Sequence, residues 1–252
     1  MARIEFAGVS AGYRESTVLE PLDLVIEPGM RVGLIGPNGS GKTTLLRVVA
    51  GVLPTRTGRV LLGSVDVAAM SREAIARAVA FVPQEETWEF PFTVEGVVAC
   101  GRYAHASSVL GESEEDKAAV TRAIAAVGLQ ELRSRPITEL SGGERRRAIL
   151  ARSLAQSAPA LLLDEPTTAL DLRHRQAVLR VLAKTGGTLV MATHDLDAAA
   201  AYCERLIALD YGRVVADGPP RDVITEEFLA DVFGVRAEVR MEGDRLHVIP
   251  EF

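Results

Sequence analysis

Cysteine is scarce in this sequence: Cys100 and Cys203 are the two in 252 residues. With no CxxC or metal-ligand spacing, they exclude a disulfide scaffold and fit a reducing cytosol. Long apolar runs are missing too. No uncharged stretch approaches the roughly 18 residues needed to span a bilayer. The opening residues MARIEFAGVS give no reason to expect a secretion signal, having neither an apolar core nor a small-residue cleavage pattern. There is no basic surplus, because 28 Lys and Arg against 34 Asp and Glu leave a net charge of −6. That balance excludes attraction of the whole molecule to nucleic acid or anionic lipid. Aromatic residues are few, at 5% of the chain. What is present, 48% hydrophobic and 25% charged residues, is the composition of a well-cored globule of one large or two small domains.

Glycine is near average in number but unevenly spread, with four between positions 33 and 41. Around that cluster, strand and helix signals alternate. Residues 2–8, 22–27, 30–35, 58–62 and 78–83 read as strands bounded by Gly or Pro. Residues 42–50 read as a helix closed by Gly51 and Pro54. From about 87 to 156 the strand signal stops. Residues 93–103 place Val94, Val97 and Val98 on one helical face. Residues 113–127 open on Ser-x-x-Asp, a capping-box pattern, and end at Gly128. Strands return at 160–164, 187–193, 205–210 and 213–217, with helices at 171–184 and 195–203. The pattern predicts an α/β core interrupted by an inserted helical subdomain.

Gly36-Pro37-Asn38-Gly39-Ser40-Gly41-Lys42-Thr43, followed by Thr44, fits the phosphate-loop pattern G-x-x-x-x-G-K-[ST], with a strand entering and a helix leaving. Glycines let the backbone curl so that N–H groups point at phosphate oxygens, and the helix N-terminus favours negative charge there. Lys42 is expected to reach the β- and γ-phosphates, and the Thr43 hydroxyl to ligate Mg²⁺. The apolar run 160–163 then delivers Asp164 and Glu165 at a strand's carboxyl end, where open α/β sheets bind ligands. Asp164 is read as a Mg²⁺ holder, and Glu165 as the residue that polarises an attacking water.

Leu140-Ser141-Gly142-Gly143-Glu144 ahead of a helix narrows the reading. Here nearly the whole chain resembles the ATP-binding subunits of ABC transporters, whose signature usually ends in Gln where this chain has Glu144. The resemblance implies a P-loop NTPase (RecA-like) α/β core with an inserted α-helical subdomain and an N-terminal antiparallel β subdomain. Residues 1–86 and 157–225 would form the core, 87–156 the helical signature subdomain, and 226–252 a C-terminal extension. It also implies that Ser141, Gly142, Gly143 and Glu144 bind the ATP held by an opposing copy, so that a homodimer forms on nucleotide binding. Further matches follow residue by residue. Tyr13 sits where an aromatic ring stacks on adenine. Gln84 sits where a glutamine contacts Mg²⁺. Ala169-Leu170-Asp171 matches the D-loop, after Thr168 where serine is usual. His194, 29 residues past Glu165, sits where a histidine meets the γ-phosphate and orients Glu165 and water.

The stretch 89–103, beginning Glu89-Phe90-Pro91-Phe92, looks like the importer branch for iron-siderophores, haem and vitamin B12. So do Leu154-Ala155-Gln156 and the tail 228–252. That resemblance implies ATP and Mg²⁺ as ligands and two transmembrane permease subunits as partners. It implies, indirectly, a periplasmic or lipid-anchored substrate-binding protein, no nucleic acid, and a place on the cytoplasmic face of the cell membrane. The alternatives are a soluble ABC ATPase of iron–sulfur cluster assembly and an importer subunit for another small-molecule substrate. Trp88, Phe90 and Phe92 suit an anchor surface or packing inside the helical subdomain equally well. Arg145, Arg146 and Arg147 read as a solvated helix face, and Glu112, Glu114, Glu115 and Asp116 as a solvated helix start. His105, His174 and His247 read as surface or packing residues, and Cys203 as core.

Overall fold

The computed structural model describes residues 3–84, 86, 88, 90–105, 113–168, 170–243 and 245–251. Glu89, Glu112 and Ala169, named above, lie outside them. Strands β1 (Ile4–Tyr13), β2 (Ser16–Ile26) and β3 (Arg31–Ile35) lead to helix α1 (Lys42–Val49), then β4 (Thr57–Leu62), β5 (Val65–Asp66), α2 (Arg72–Ala78) and β6 (Val79–Val82). Helices α3 (Val94–Ala99), α4 (Glu114–Ala126) and α5 (Gly142–Ala155) follow. The chain continues through β7 (Ala160–Asp164), α6 (Leu172–Lys184), β8 (Thr188–Ala192), α7 (Leu196–Tyr202), β9 (Arg205–Asp210) and β10 (Arg213–Gly218). It closes with α8 (Pro220–Val223), α9 (Glu226–Phe233), β11 (Ala237–Glu242) and β12 (Arg245–Pro250). No helix among the described residues is long and apolar enough to cross a membrane.

Six strands form the central sheet in the order β10-β9-β3-β8-β7-β6, parallel throughout except for β10 at one edge. A parallel sheet is covered on both faces, which is why its strands read as unbroken apolar runs rather than alternating ones. In β7, Leu161 and Leu163 face one core while Ala160 and Leu162 face the other. The first core takes in α3, α4, α5 and α6. The second takes in α1 and the separate antiparallel sheet β2-β1-β4-β5. The hairpin β11-β12 seats on α7, where the Val248 N–H donates to Asp197 Oδ1 over 3.0 Å.

Several expectations shift. The strand expected at 2–8 runs on to Tyr13, because Gly8 at φ 59° bulges the backbone instead of ending it. The strand expected at 22–27 begins at Ser16. Pro21 is tolerated within it because β2 is an edge strand. The helix expected over 93–103 is α-helical only to Ala99, tightening to a 3₁₀ turn over Cys100–His105. Helix α2 was not anticipated, though Ser71 caps it. Asp116 is not part of a solvated face: it falls on the buried stripe of α4 with Ala119, Val120 and Ala123. There it pairs with Arg102 at 2.7 Å, and bonds from Ser113 and Arg102 hold its pKa down at about 2. Cys203 is core as expected, its thiol pushed up to about 12 by burial.

Candidate functional site

The strand order decides which loops meet. β8 lies between β3 and β7, and Ala192 is in register with both Leu34 and Asp164. Neighbouring strands stand about 4.8 Å apart. The segments leaving β3, β8 and β7, which carry Gly36, His194 and Glu165, are therefore set side by side at the carboxyl edge, where such sheets bind ligands.

The loop after β3 needs glycine for steric reasons. A Cβ on Gly36 would fall 2.0 Å from the Leu209 carbonyl oxygen, and Gly36 has φ 140°. Gly41, at φ 108°, is the left-handed residue from which α1 starts. Lys42 is buried, and its Nζ donates to Gly36 O at 2.8 Å and Pro37 O at 2.9 Å. Burial lowers its pKa, partly opposed by Glu165 and Asp164. Asn38, Gly39, Ser40, Gly41, Lys42, Thr43 and Thr44 line a cavity of about 370 Å³ together with Tyr13, Arg47, Gln84, Asp164 and Glu165. A larger hollow of about 650 Å³ lies between α4 and α6, away from all of these residues.

Two polar atoms in the smaller cavity are buried without a hydrogen-bond partner: Ser40 Oγ and Asp164 Oδ2. The other Asp164 oxygen accepts from Thr43 Oγ1 at 3.0 Å, and burial raises the Asp164 pKa. A buried, half-satisfied carboxylate beside a hydroxyl is a hard-oxygen donor pair suited to a cation that takes its remaining ligands from phosphates and water, as Mg²⁺ does. Among the described residues no group of three or more His, Cys, Asp or Glu could hold a metal unaided. The donor pair therefore fits a nucleotide-borne ion rather than a protein cage.

Glu165 has φ 50°, a left-handed conformation that costs a non-glycine residue about 1–2 kcal/mol. Its N–H is held by Ala192 O at 2.9 Å. Its Oε2 accepts from Thr168 Oγ1 at 2.9 Å and lies 2.7 Å from His194 Nδ1. His194 is 61% exposed, so it reaches the carboxylate from the solvent side.

Ser141, Gly142, Gly143 and Glu144 do not join this cavity. They form the N-terminus of α5. The Ser141 hydroxyl accepts from the Glu144 N–H and donates to Glu144 Oε2, which also accepts the Ser141 N–H. These bonds lower the Glu144 pKa. Glutamate in place of glutamine thus serves as the reciprocal cap. Asp171 caps α6 and bonds His174 Nδ1 at 2.9 Å, and the His174 ring lies 3.3 Å from where a Cβ on Gly143 would be. His174 therefore bridges the two segments expected to face another copy.

The arginine run is not a solvated face. Arg146 is buried and donates to five carbonyl oxygens: Pro83, Gln84, Asp164, Glu165 and Pro166. Arg147 donates to Val127 O and Gly128 O, and Arg145 to Leu140 O. Arg47 was also missed: its Nη1 donates to the Tyr13 hydroxyl at 2.9 Å, and its guanidinium lies 5.9 Å from that ring's centroid. Tyr13 is 39% exposed at the cavity rim. Phe90 and Phe92 are exposed, and Phe92 meets half-buried Trp88 edge to face at 6.1 Å.

The profile described as ABC transporter matches residues 19–168. A hemin import ATP-binding protein of Nocardia farcinica is 45% identical over 225 residues, covering 88% of this chain and 77% of the relative. A cobalamin import ATP-binding protein of Halobacterium salinarum is 40% identical over 240 residues, covering 94% of this chain. This chain spans 60% of that relative's length. Among solved structures, the ATP-binding cassette MJ0796, a dimer in a post-hydrolysis state with ADP and Pi, aligns with a TM-score of 0.77 and 25% identity. That likeness covers 86% of this chain and 99% of the other.

Proposed function

This chain belongs to the ABC transporter family, and we propose that it is the ATP-hydrolysing subunit of an importer for a metal chelate: an iron-siderophore, haem or cobalamin. One observation carries hydrolysis. The Glu165 carboxylate lines the same cavity as Lys42 and is braced by Thr168 and His194 at 2.9 and 2.7 Å. A carboxylate so placed can orient a water for in-line attack, while the surrounding donors neutralise charge on the phosphates.

In this reading Tyr13 stacks on adenine, and the backbone from Gly36 through Thr44 wraps the phosphates, with Pro37, Asn38, Gly39, Ser40 and Gly41 forming the curl. Lys42 exchanges its two carbonyl partners for β- and γ-phosphate oxygens. Thr43, Gln84 and Asp164 hold Mg²⁺, which when bound neutralises phosphate charge. His194 steadies Glu165 and the water. Ser141, Gly142, Gly143, Glu144 and Asp171 meet the nucleotide of a second copy. ATP then becomes part of a homodimer interface that forms on binding and loosens on hydrolysis.

Residues 1–86 and 157–225 act as the ATP-binding core, 87–156 as the helical signature subdomain and 226–252 as an extension. Trp88, Phe90 and Phe92 serve as the anchor for a transmembrane permease subunit on the cytoplasmic face of the membrane, with a substrate-binding protein engaged only through that permease. The relatives named for hemin and cobalamin import support the substrate class.

The test is Mg²⁺-dependent ATP hydrolysis by the purified chain and by Glu165→Gln. The variant should bind ATP, fail to turn it over, and elute as an ATP-dependent dimer. Hydrolysis by E165Q at the unmodified rate would sink the assignment of Glu165. Uptake of labelled haem, siderophore and cobalamin by a reconstituted complex then identifies the substrate.

A further inference from the structure

Arginine has five N–H donors in a fixed planar fork. In Arg146 all five are used, and every acceptor is a backbone carbonyl: Nη1 to Pro83 O and Gln84 O, Nη2 to Asp164 O and Glu165 O, Nε to Pro166 O. Its five hydrogen bonds all go to carbonyls, and the carboxylates of Asp164, Glu86 and Glu165 offset its burial only through space. A buried cation whose direct contacts are all carbonyls is unusual, because buried charges are ordinarily paired directly. What the carbonyls supply instead is geometric control. Two of them belong to the segment leaving β6, and three to the last residue of β7 and the segment leaving it. Those three include both faces of the left-handed kink that aims Glu165.

The arginine is carried by α5, five residues from Ser141, the residue that caps the helix. One rigid helical turn therefore separates the signature N-terminus from a fork gripping the backbone of Gln84 and Glu165. We propose that Arg146 is a positioning residue for hydrolysis. It transmits the seating of the α5 N-terminus on a partner's nucleotide to the Glu165 carboxylate and Gln84 of its own site. This rests on the hydrolytic reading above. Its neighbour Arg147 instead bonds Val127 O and Gly128 O, which belong to neither of those segments.

The test compares Arg146→Lys with Arg147→Lys in the full chain. Lysine keeps the charge but offers three donors from one atom, so it cannot span both segments. R146K should lower kcat about 10-fold or more, with KM for ATP and binding of a fluorescent ATP analogue within about twofold of the unmodified protein. R147K should leave all three unchanged. Arg146→Gln, neutral and easier to bury, repeats the comparison should R146K not fold. The inference is overturned if R146K and R146Q keep full kcat, or if R147K matches them. It is equally overturned if KM and analogue binding worsen in step with kcat. An unmodified protein that does not hydrolyse ATP defeats the functional reading itself, and this inference with it.

Discussion

Thr43 Oγ1 donates to Asp164 Oδ1 across 3.0 Å, tying the first turn of α1 to the end of β7 while Asp164 Oδ2 stays buried and unpaired. Without a cation, this carboxylate works against the fold. Burial raises its pKa, so the stability it contributes is present below the ordinary carboxyl range and lost as pH rises through the raised value. Asp164→Asn should therefore stabilise the ligand-free protein at pH 7 by about 1–2 kcal/mol. It should also weaken the Mg²⁺-dependent part of ATP affinity about tenfold or more. Denaturant unfolding without nucleotide, and ATP titration with and without Mg²⁺, check the two halves. A ligand-free D164N less stable than its parent contradicts the first.

Lys42 rests on two carbonyls that phosphate oxygens would replace. Losing one charge-assisted contact costs about 1.5–3 kcal/mol, or roughly 10- to 150-fold in affinity. Lys42→Ala should show that loss in a fluorescent-nucleotide titration while its far-UV spectrum stays unchanged. A change below about threefold speaks against a phosphate contact.

His194 touches Glu165 but does not line the cavity. His194→Ala should then act on turnover rather than on binding, lowering kcat about 100-fold or more with KM nearly constant. Steady-state kinetics at saturating ATP read this directly. Equal losses in binding and turnover would place His194 elsewhere in the mechanism.

Arg102 and Asp116 are 11% and 10% exposed, so removing one leaves the other buried and uncompensated. Asp116→Asn should cost about 2 kcal/mol at pH 7. Because the folded-state pKa is depressed from 3.8 to about 2, the pair's stabilisation is full above the higher value. It disappears as pH falls through the lower one. The parent should lose its advantage over D116N across that interval in acid unfolding. A constant gap would remove the carboxylate from the account.

Much of the site is legible because phosphate chemistry demands residue types at fixed spacing. Gly36, Lys42, Thr43, Asp164 and Glu165 can be read from strand ends and loop patterns, and His194 through the family resemblance. Arg146 and Asp116 escape for a shared reason. Each sits in a charged run, and a run suggests solvent. Their helical phase says otherwise: Arg146 stands three and four residues before Ile149 and Leu150, and Asp116 the same before Ala119 and Val120. A charge on the apolar stripe of a helix is a charge with a buried partner. Arg47, on α1, gives no comparable signal, because its partner Tyr13 is 34 residues away on a strand of the antiparallel sheet. The extension of β1 past Gly8 was hidden because a bulge and a turn look alike in sequence.

The placement of β8 between β3 and β7 has a consequence for how the protein is made. In the central sheet β3 pairs only with β8 and β9, so the strand bearing the phosphate loop has no neighbour there until residues beyond 188 have left the ribosome. Contacts of such long sequence separation form late, after loop closure has been paid for. The loop that follows β3 thus stays an open strand end until the residues of β8 and β9, about 150 positions later, have been made. It faces Asp164 only once the last parallel strands have slotted in.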